Sequence, residues 1–333
     1  MKRKLFGLLI AFLFITLILS GCNENNKKKD WWNSNWNFRK KIEIKNNIDD
    51  YQMKLVVGKN SQGDINCNGN SQDDFDDIRF VSCSVGKELP YWIENYSVDD
   101  HATFWINNVY NDSNIWMYYG NVDAITTSDG FSTWDYFENF ESYLDNEVVS
   151  GWTSDSEELT LKANNSEKYE GAVGGKFINN DYGKHHDIGL NLPIIDSFKF
   201  FVRTKYGNND NYHLCIYNSS SNLTGKVARA GYYWMFNDWA YWDANGKNEV
   251  YGNINYSKWH NMILCMNKTH YKLTCDEVNI TPGFVSKVDT NPPIKFGFLV
   301  GKGDIHYVDL IRIGKYSANP PCFSYFGSEE INQ

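Results

Sequence analysis

The sequence predicts an all-β protein built from two tandem antiparallel β-sandwich domains. Apolar and polar residues alternate in Arg39–Lys45 and in Phe198–Lys205, as half-buried strands require. Asn, Asp, Gly and Ser clusters separate many other short runs, which favours antiparallel sandwiches over β–α–β units. No window of about twelve residues has the apolar spacing of an amphipathic helix. The other strand-like runs are Met53–Val57, Ile78–Val81, Thr103–Ile106, Ile115–Tyr119, Tyr212–Tyr217, Trp259–Met266, Lys295–Val300 and Ile305–Ile313.

The beginning of the chain has the layout of a secretory signal peptide, which predicts a leader over residues 1–21. Lys2-Arg3-Lys4 is positively charged, and the apolar run Leu5–Leu19 is shorter than the ~20 residues that a membrane-spanning helix needs. Leu19-Ser20-Gly21-Cys22 resembles the lipobox of prokaryotic lipoproteins. That resemblance implies a diacylglyceryl group on the Cys22 thiol, the first residue of the mature chain. The alternative is an ordinary signal peptide followed by a chance cysteine.

Residues 22–30 are predicted to form a lipidated tether, because Asn23–Asp30 is polar and lacks apolar periodicity. Two acyl chains on Cys22 would hold the chain stably on a membrane, at about 0.8 kcal/mol per buried methylene. We therefore expect the folded part to lie outside the cytoplasm, at the cell membrane or cell surface, with the membrane as a partner through the lipid.

The net charge of the chain argues against one class of partner, and its cysteines permit disulfides. The chain has 32 Lys and Arg against 41 Asp and Glu, a formal net charge of −9, which argues against a nucleic-acid partner. Besides Cys22, six cysteines follow the leader, an even number that permits disulfides in an exported protein; proximity in sequence favours a Cys67–Cys83 pair. The alternative is that some of these cysteines are buried thiols that act as small apolar side chains. They are Cys67, Cys83, Cys215, Cys265, Cys275 and Cys322.

The first domain is predicted over residues 31–130, because a polar stretch follows the strand-like run that ends at Tyr119-Gly120. Its ordered motifs resemble domain-of-unknown-function family 2341, which occurs in envelope proteins of archaea and bacteria. One departure is Phe75-Asp76, where the family usually has Asp-Gly. The family has no assigned catalytic chemistry, so the resemblance implies location and architecture. The motifs are Trp31–Lys41, Asp76–Phe80, Leu89–Glu94, Ala102–Ile106 and Met117–Asn121.

The second domain is predicted over residues 131–327, followed by a tail over residues 328–333. Its opening Phe137–Glu141, the late hairpin Trp259–Asp276 and the closing strand Tyr307–Ile313 resemble a concanavalin-like jelly roll. Jelly rolls include both lectins and hydrolases, so this resemblance implies a fold and leaves the activity open.

The segment Tyr232–Asp243 (YYWMFNDWAYWD) is the densest aromatic run and predicts a ligand site. Aromatic faces pack on the apolar faces of sugar rings, and exposed aromatic clusters usually mark binding sites. The alternative is that half of these rings fill the sandwich core, as alternation along a strand predicts. The residues expected to stack on glycan are Tyr232, Trp234, Trp239, Tyr241 and Trp242.

A calcium site at Glu138, Glu141 and Asp309 is a further hypothesis. The resemblance to calcium-bearing jelly rolls implies that the first and last strands of the second domain pair, which would bring these carboxylates together. Calcium takes six to eight oxygen ligands. The alternative is a solvated acidic rim, because the ligand pattern is incomplete.

Recognisable catalytic motifs are absent from the sequence. It contains neither Gly-x-Ser-x-Gly nor His-Glu-x-x-His. Neighbouring residues of a strand diverge, so His185-His186-Asp187 does not predict a zinc site. We therefore predict a non-catalytic, lipid-anchored cell-envelope protein that binds extracellular glycan. The alternatives are a structural or adhesive surface protein that binds other envelope proteins and, after that, a glycan-cleaving enzyme.

Overall fold

The computed structural model describes residues 31–191, 197–207, 212–217, 226–233, 238–250, 255, 258–288 and 293–332. Every run predicted to be a strand overlaps an observed strand, which confirms the all-β sandwich prediction. Up to residue 138 the elements are β1 (Phe38–Lys45), β2 (Gln52–Gly58), β3 (Ile65–Asn66), β4 (Arg79–Ser82), β5 (Tyr91–Ser97), β6 (His101–Asn107), β7 (Asn114–Tyr119), α1 (Gly130–Thr133) and β8 (Tyr136–Glu138).

The rest of the described chain is also built from strands joined by turns. These strands are β9 (Trp152–Ser154), β10 (Leu159–Asn164), β11 (Gly174–Asn179), β12 (His186–Asn191), β13 (Phe198–Tyr206), β14 (Tyr212–Tyr217), β15 (Lys226–Tyr233), β16 (Asp238–Asp243), β17 (Gly246–Val250), β18 (His260–Met266), β19 (His270–Cys275), β20 (Val278–Asn279), β21 (Val285–Ser286), β22 (Lys295–Val300), β23 (Ile305–Lys315), β24 (Cys322–Phe326) and β25 (Glu330–Ile331).

The first sandwich packs a sheet of order β3-β2-β6-β5 against a sheet of order β24-β1-β7-β4, with β25 also paired to β1. Period-two alternation explains this packing. Ile42 and Ile44 of β1 and Leu55 and Val57 of β2 all point into one apolar core, where each is buried. Polar positions between them, such as Lys54, face solvent.

The second sandwich is larger and carries the candidate site. A sheet of order β10-β11-β23-β13-β18-β19-β20, with β8 on β23 and β21 on β19, packs against a seven-stranded sheet of order β17-β16-β15-β14-β22-β12-β9. Phe200 of β13 and Leu264 of β18 pack against Phe296, Phe298 and Leu214 of the seven-stranded sheet in a single buried core. The inward residues of the seven-stranded sheet alternate with the outer-face residues described below.

A buried cluster joins the two sandwiches. Its members are Trp92 and Trp105 of the first sandwich, Phe201 and Leu310 of the second, and Trp134 and Phe137 of the connection between them. At its centre Arg312 Nη1 donates to Glu94 Oε1 at 3.0 Å, and the Arg312 side chain is 1% exposed. The contact between the sandwiches therefore combines apolar packing with a buried ion pair.

The chain returns to the first sandwich at its C-terminal end. β24 pairs antiparallel with β1, with Ile42 opposite Phe326 and Ile44 opposite Phe323. β25 also pairs with β1, and Asn332 N donates to Asn37 O at 2.8 Å. Residues 322–327, assigned by sequence to the second domain, and the tail 328–333 therefore complete the first sheet up to residue 332. This pairing is set by long-range packing, which a local pattern does not encode.

The predicted Cys67–Cys83 disulfide does not form. Cys67 is a thiol, fully buried in the first core, whereas Cys83 is half-buried just after β4. Burial raises the pKa of the Cys67 thiol above the value of an exposed cysteine, so the group stays neutral. Cys22 lies outside the described residues, so its lipidation stays a prediction. Within the described ranges, helices long and apolar enough to span a membrane are absent.

Candidate functional site

The outer face of the seven-stranded sheet carries the candidate site. Cross-strand pairing places one row of side chains across all of its strands. The row runs Thr153, Gly189, Gly297, Cys215, Arg229, Trp242 and Lys247. Each of these residues alternates with an inward-facing core residue, so the row points away from the sandwich core.

Asp187 of β12 organises one end of this face. Its Oδ1 accepts a hydrogen bond from the Tyr217 hydroxyl at 2.7 Å, and its Oδ2 accepts one from Lys226 Nζ at 2.7 Å. Burial raises the pKa of Asp187, and the Lys226 ammonium and the Tyr217 hydroxyl act in the opposite direction. The carboxylate thus holds side chains from β14 and β15 in fixed positions over the sheet.

Two glycines leave room for this network. Tyr217 lies on β14 and Asp187 on β12, and β22 runs between them. Gly297 of β22 and Gly189 of β12 pair with each other in the row of residues that lies between the rows of Tyr217 and Asp187. They therefore place no side chain under the Tyr217–Asp187 contact. A Cβ built on Gly297 would lie 2.0 Å from the Ile188 carbonyl oxygen, so the two strands also require glycine here for their close backbone approach.

Arg229 and Trp242 stack on each other further along the face. The Arg229 guanidinium carbon lies 4.0 Å from the centroid of the Trp242 ring, and both side chains are half-buried. A guanidinium stacked on an indole presents hydrogen-bond donors beside an apolar plane. At the other edge Lys295 Nζ donates to Thr153 Oγ1 at 2.8 Å. Among the described side chains of this face, the basic ones are Lys226, Arg229, Lys247 and Lys295, and the acidic ones are Asp187 and Glu249.

The described aromatic residues among those predicted to stack on glycan lie in two places, the sandwich core and the outer face. Trp239 and Tyr241 are 6% and 8% exposed and belong to the core of the second sandwich. Trp242 lies on the outer face beside Arg229. The Tyr232 side chain and the whole of Trp234 lie outside the described residues. Of the predicted set, Trp242 is therefore the described ring placed at the candidate site.

The residues predicted to bind calcium are instead bonded to backbone. Glu138 Oε1 accepts from Phe140 N, and Glu141 Oε1 accepts from Ala172 N and Val173 N. Asp309 Oδ2 accepts from Tyr169 N and Glu170 N, and its Oδ1 from Leu310 N. Within the described ranges, these three carboxylates are not gathered into a group of ligand distance. Each one orders a loop of the second sandwich.

A pH-dependent contribution to stability is expected from Asp309. Burial raises the pKa of Asp309 to about 7, although three backbone N–H groups act in the opposite direction. The folded state then binds the proton more tightly than the unfolded state, so stability is lost as the pH rises through that value. We expect wild-type protein to lose thermal stability relative to Asp309→Asn between about pH 4 and about pH 7.

Thermal melts of both proteins across that range measure this difference. Glu157→Gln, at an exposed carboxylate, serves as the control and should melt in parallel with wild type. Parallel curves for Asp309→Asn and wild type would show that Asp309 is charged throughout the range.

Other residues of the site were missed by the sequence patterns. Asp187 was noticed as part of a histidine cluster, but its neighbour His186 points elsewhere and contacts the carboxylates of Asp155 and Asp181 at 3.1 and 3.0 Å. Tyr217, Lys226 and Arg229 belong to strands that are distant in sequence from β12. Alternation alone indicates which residues share a face, but the strand order that brings these together is a tertiary property.

A comparison with protein families finds one match. The family described as Domain of unknown function (DUF2341) matches residues 74–155. This confirms the predicted resemblance over that stretch, which contains the Asp76–Phe80, Leu89–Glu94, Ala102–Ile106 and Met117–Asn121 motifs. The Trp31–Lys41 motif lies outside the match. No curated protein matches this sequence.

Solved structures similar to this chain include a sialidase, with 9% identity and a TM-score of 0.42 over 62% of this chain; the chain spans 20% of the sialidase. The carbohydrate-binding module CBM66 from Bacillus subtilis has 11% identity and a TM-score of 0.35 over 52% of this chain and 99% of the module. A galectin-like protein of unknown function from Bacillus subtilis has 8% identity and a TM-score of 0.37, over 54% and 98%. Scores this low carry no argument about function, which is taken here from the site itself.

Proposed function

We propose that this protein is a lipid-anchored cell-envelope protein that binds extracellular glycan on the outer face of its seven-stranded sheet, without catalysis. The observation that carries the proposal is the stacked Arg229–Trp242 pair on the same face as the Asp187, Tyr217 and Lys226 network. An apolar ring next to fixed, directional polar groups is the combination that a sugar requires, because its ring carries both C–H faces and hydroxyl edges.

The position of the described carboxylates on this face supports binding rather than glycoside cleavage. Glycosidases need two carboxyl groups about 5–9.5 Å apart. Asp187 lies on β12 and Glu249 on β17, which are separated by five strand spacings of about 4.8 Å each, roughly 24 Å in all. Asp187 is also fully engaged by Tyr217 and Lys226. Its role in this proposal is to position those two side chains.

The lipid anchor is the second part of the proposal and rests on the leader. Cys22 would carry the acyl chains, and residues 23–30 would connect them to Trp31, where the described chain begins. Mass spectrometry of the membrane-extracted protein tests this directly. A mature N-terminus at Cys22 with a diacylglyceryl mass supports the anchor, whereas cleavage at another residue contradicts it.

Replacing Trp242 with Ala is expected to weaken glycan binding at least tenfold, which corresponds to about 1.4 kcal/mol. The physical reason is the loss of the apolar plane on which a sugar ring packs. The measurement is binding of the full chain to an array of neutral and uronic-acid polysaccharides, followed by titration of the best ligand. Because the described side chains of this face include more basic than acidic groups, uronic-acid polysaccharides are the first probes.

Trp259→Ala is the matched control, because Trp259 is a half-buried tryptophan beside Tyr169, away from this face. Equal losses for Trp259→Ala and Trp242→Ala would place binding elsewhere. A chain that binds no glycan at all would instead favour the structural or adhesive role. Loss of glycan binding in EDTA would favour the calcium hypothesis at Glu138, Glu141 and Asp309.

A further inference from the structure

A cluster of three potential metal ligands lies on the other sheet of the second sandwich. His260 of β18, Cys275 at the end of β19 and Asp276 just beyond it each offer one ligand atom, and these atoms lie within 4.8 Å of one another. His260 and Cys275 are buried at the edge of the core, and Asp276 is exposed. The group is therefore partly enclosed by protein and still reachable from solvent.

The backbone explains why these residues meet. Cys275 pairs with Met262, so His260, two residues earlier on β18, points to the same side of the sheet. Asp276 adopts a φ of +48°, which turns the chain at the end of β19. Its Oδ1 then accepts from Asn261 N at 2.8 Å, and its Oδ2 lies 2.6 Å from His260 Nδ1. The carboxylate is thus held against the histidine ring.

The contacts of His260 point to a cation. Nδ1 faces the Asp276 carboxylate at 2.6 Å and Nε2 faces the Asn255 carbonyl oxygen at 3.0 Å. Both partners are acceptors, and a neutral imidazole has a single N–H to donate. With that N–H on Nε2, directed at Asn255, the Nδ1 lone pair faces the Asp276 carboxylate, as it would across a bound metal ion. Metal-binding histidines usually donate the other ring N–H to a carbonyl or carboxylate, as Nε2 would here to Asn255.

We propose that His260 Nδ1, Cys275 Sγ and Asp276 Oδ2 bind a zinc-type divalent cation, independently of the glycan site. Nitrogen and sulfur ligands select zinc over calcium, which prefers oxygen. Tetrahedral zinc with bonds of about 2.0–2.3 Å places its ligand atoms about 3.3–3.6 Å apart, so side-chain shifts of about 1 Å suffice. The Cys275 thiol proton leaves to solvent as the Zn–S bond forms, and water fills the fourth position.

Cobalt(II) is the probe that tests this site, because it takes the place of zinc and reports a bound thiolate by its charge-transfer absorption. The experiment uses the full chain, reduced and stripped of metal, titrated with Co²⁺ and then with Zn²⁺. We expect one equivalent of Co²⁺ to give a thiolate charge-transfer band that Zn²⁺ abolishes. Asp276→Asn, at an exposed position that should not impair folding, should lower Zn²⁺ affinity at least tenfold.

Two cysteine variants identify the ligand. Cys275→Ser should lose the band, and the control Cys265→Ser should keep it, because Cys265 lies on β18 and points to the opposite side from Met262 and His260. A folded wild-type chain without the band overturns the proposal. A band that survives in Cys275→Ser, or an unchanged Zn²⁺ affinity in Asp276→Asn, also overturns it.

Discussion

Replacing Glu94 with Ala is expected to destabilise the protein by about 3–5 kcal/mol, because it strips a buried guanidinium of its carboxylate partner. Arg312 is 1% exposed, and its guanidinium carbon lies 5.0, 5.3 and 5.1 Å from the rings of Trp92, Trp134 and Phe201. Water cannot readily replace Glu94 inside this cluster. Urea unfolding followed by tryptophan fluorescence measures the loss, since the cluster itself contains tryptophans.

The double variant Glu94→Ala/Arg312→Met separates the ion pair from the packing around it. Methionine removes the unpaired charge and fills apolar space, so the double variant should recover much of the stability that Glu94→Ala loses. Lys54→Ala is the surface control, because Lys54 lies 3.9 Å from Glu94 and its side chain is 53% exposed. It should change stability by about 0.5 kcal/mol or less. A double variant no more stable than Glu94→Ala would contradict this account of the junction.

Ending the chain at Asn319 is expected to have the second large effect, loss of the folded first sandwich. The truncation removes β24 and β25, both of which pair with β1. It also removes Phe323 and Phe326, which pack half-buried against the first core; full burial of such a side chain contributes about 1.5–3 kcal/mol, so each contributes roughly half of that. Together with the lost strand pairing of β1, this is a large share of the 5–15 kcal/mol that typically stabilises a domain.

Limited proteolysis with mass spectrometry measures the outcome region by region. Cleavage should spread through residues 31–119 while β8 to β23 stay protected. A shorter truncation after Gly327 is the matched comparison. It keeps β24 and loses the Arg39–Glu330 ion pair and the bond from the Tyr119 hydroxyl to Glu329, so its effect should be smaller. Full protection of residues 31–119 in the chain that ends at Asn319 would show that β1 does not depend on β24.

Local pattern was sufficient to predict the fold class of this protein. Alternation in Arg39–Lys45 and Phe198–Lys205 reports which side of a strand is buried, and that property belongs to the strand itself. The position of Cys322–Phe326 could not be predicted in this way. Its partner β1 is far away in sequence, and any exposed strand edge of suitable length would satisfy the same local pattern.

The candidate site was predictable in part for the same reason. The aromatic run Tyr232–Asp243 predicted a ligand site, and alternation within β16 sends Trp239 and Tyr241 to the core and leaves Trp242 on the outer face. The Asp187 network could not be predicted from sequence. Its residues become neighbours only when β22 is placed between β12 and β14, which is a consequence of sheet order.

The pairing of β1 with β24 also affects the order in which the parts of the protein can fold. β1 is synthesised before every other described strand, and the strand that covers its edge is the last but one of them, with Ile42 opposite Phe326. β8 to β23 can form the second sandwich before that edge is covered. Contacts so distant in sequence form slowly, because a long loop must close before they can stabilise the chain. Until it closes, the open edge of β1 is available to strands of other chains, so this protein is most vulnerable to aggregation before β24 pairs with β1.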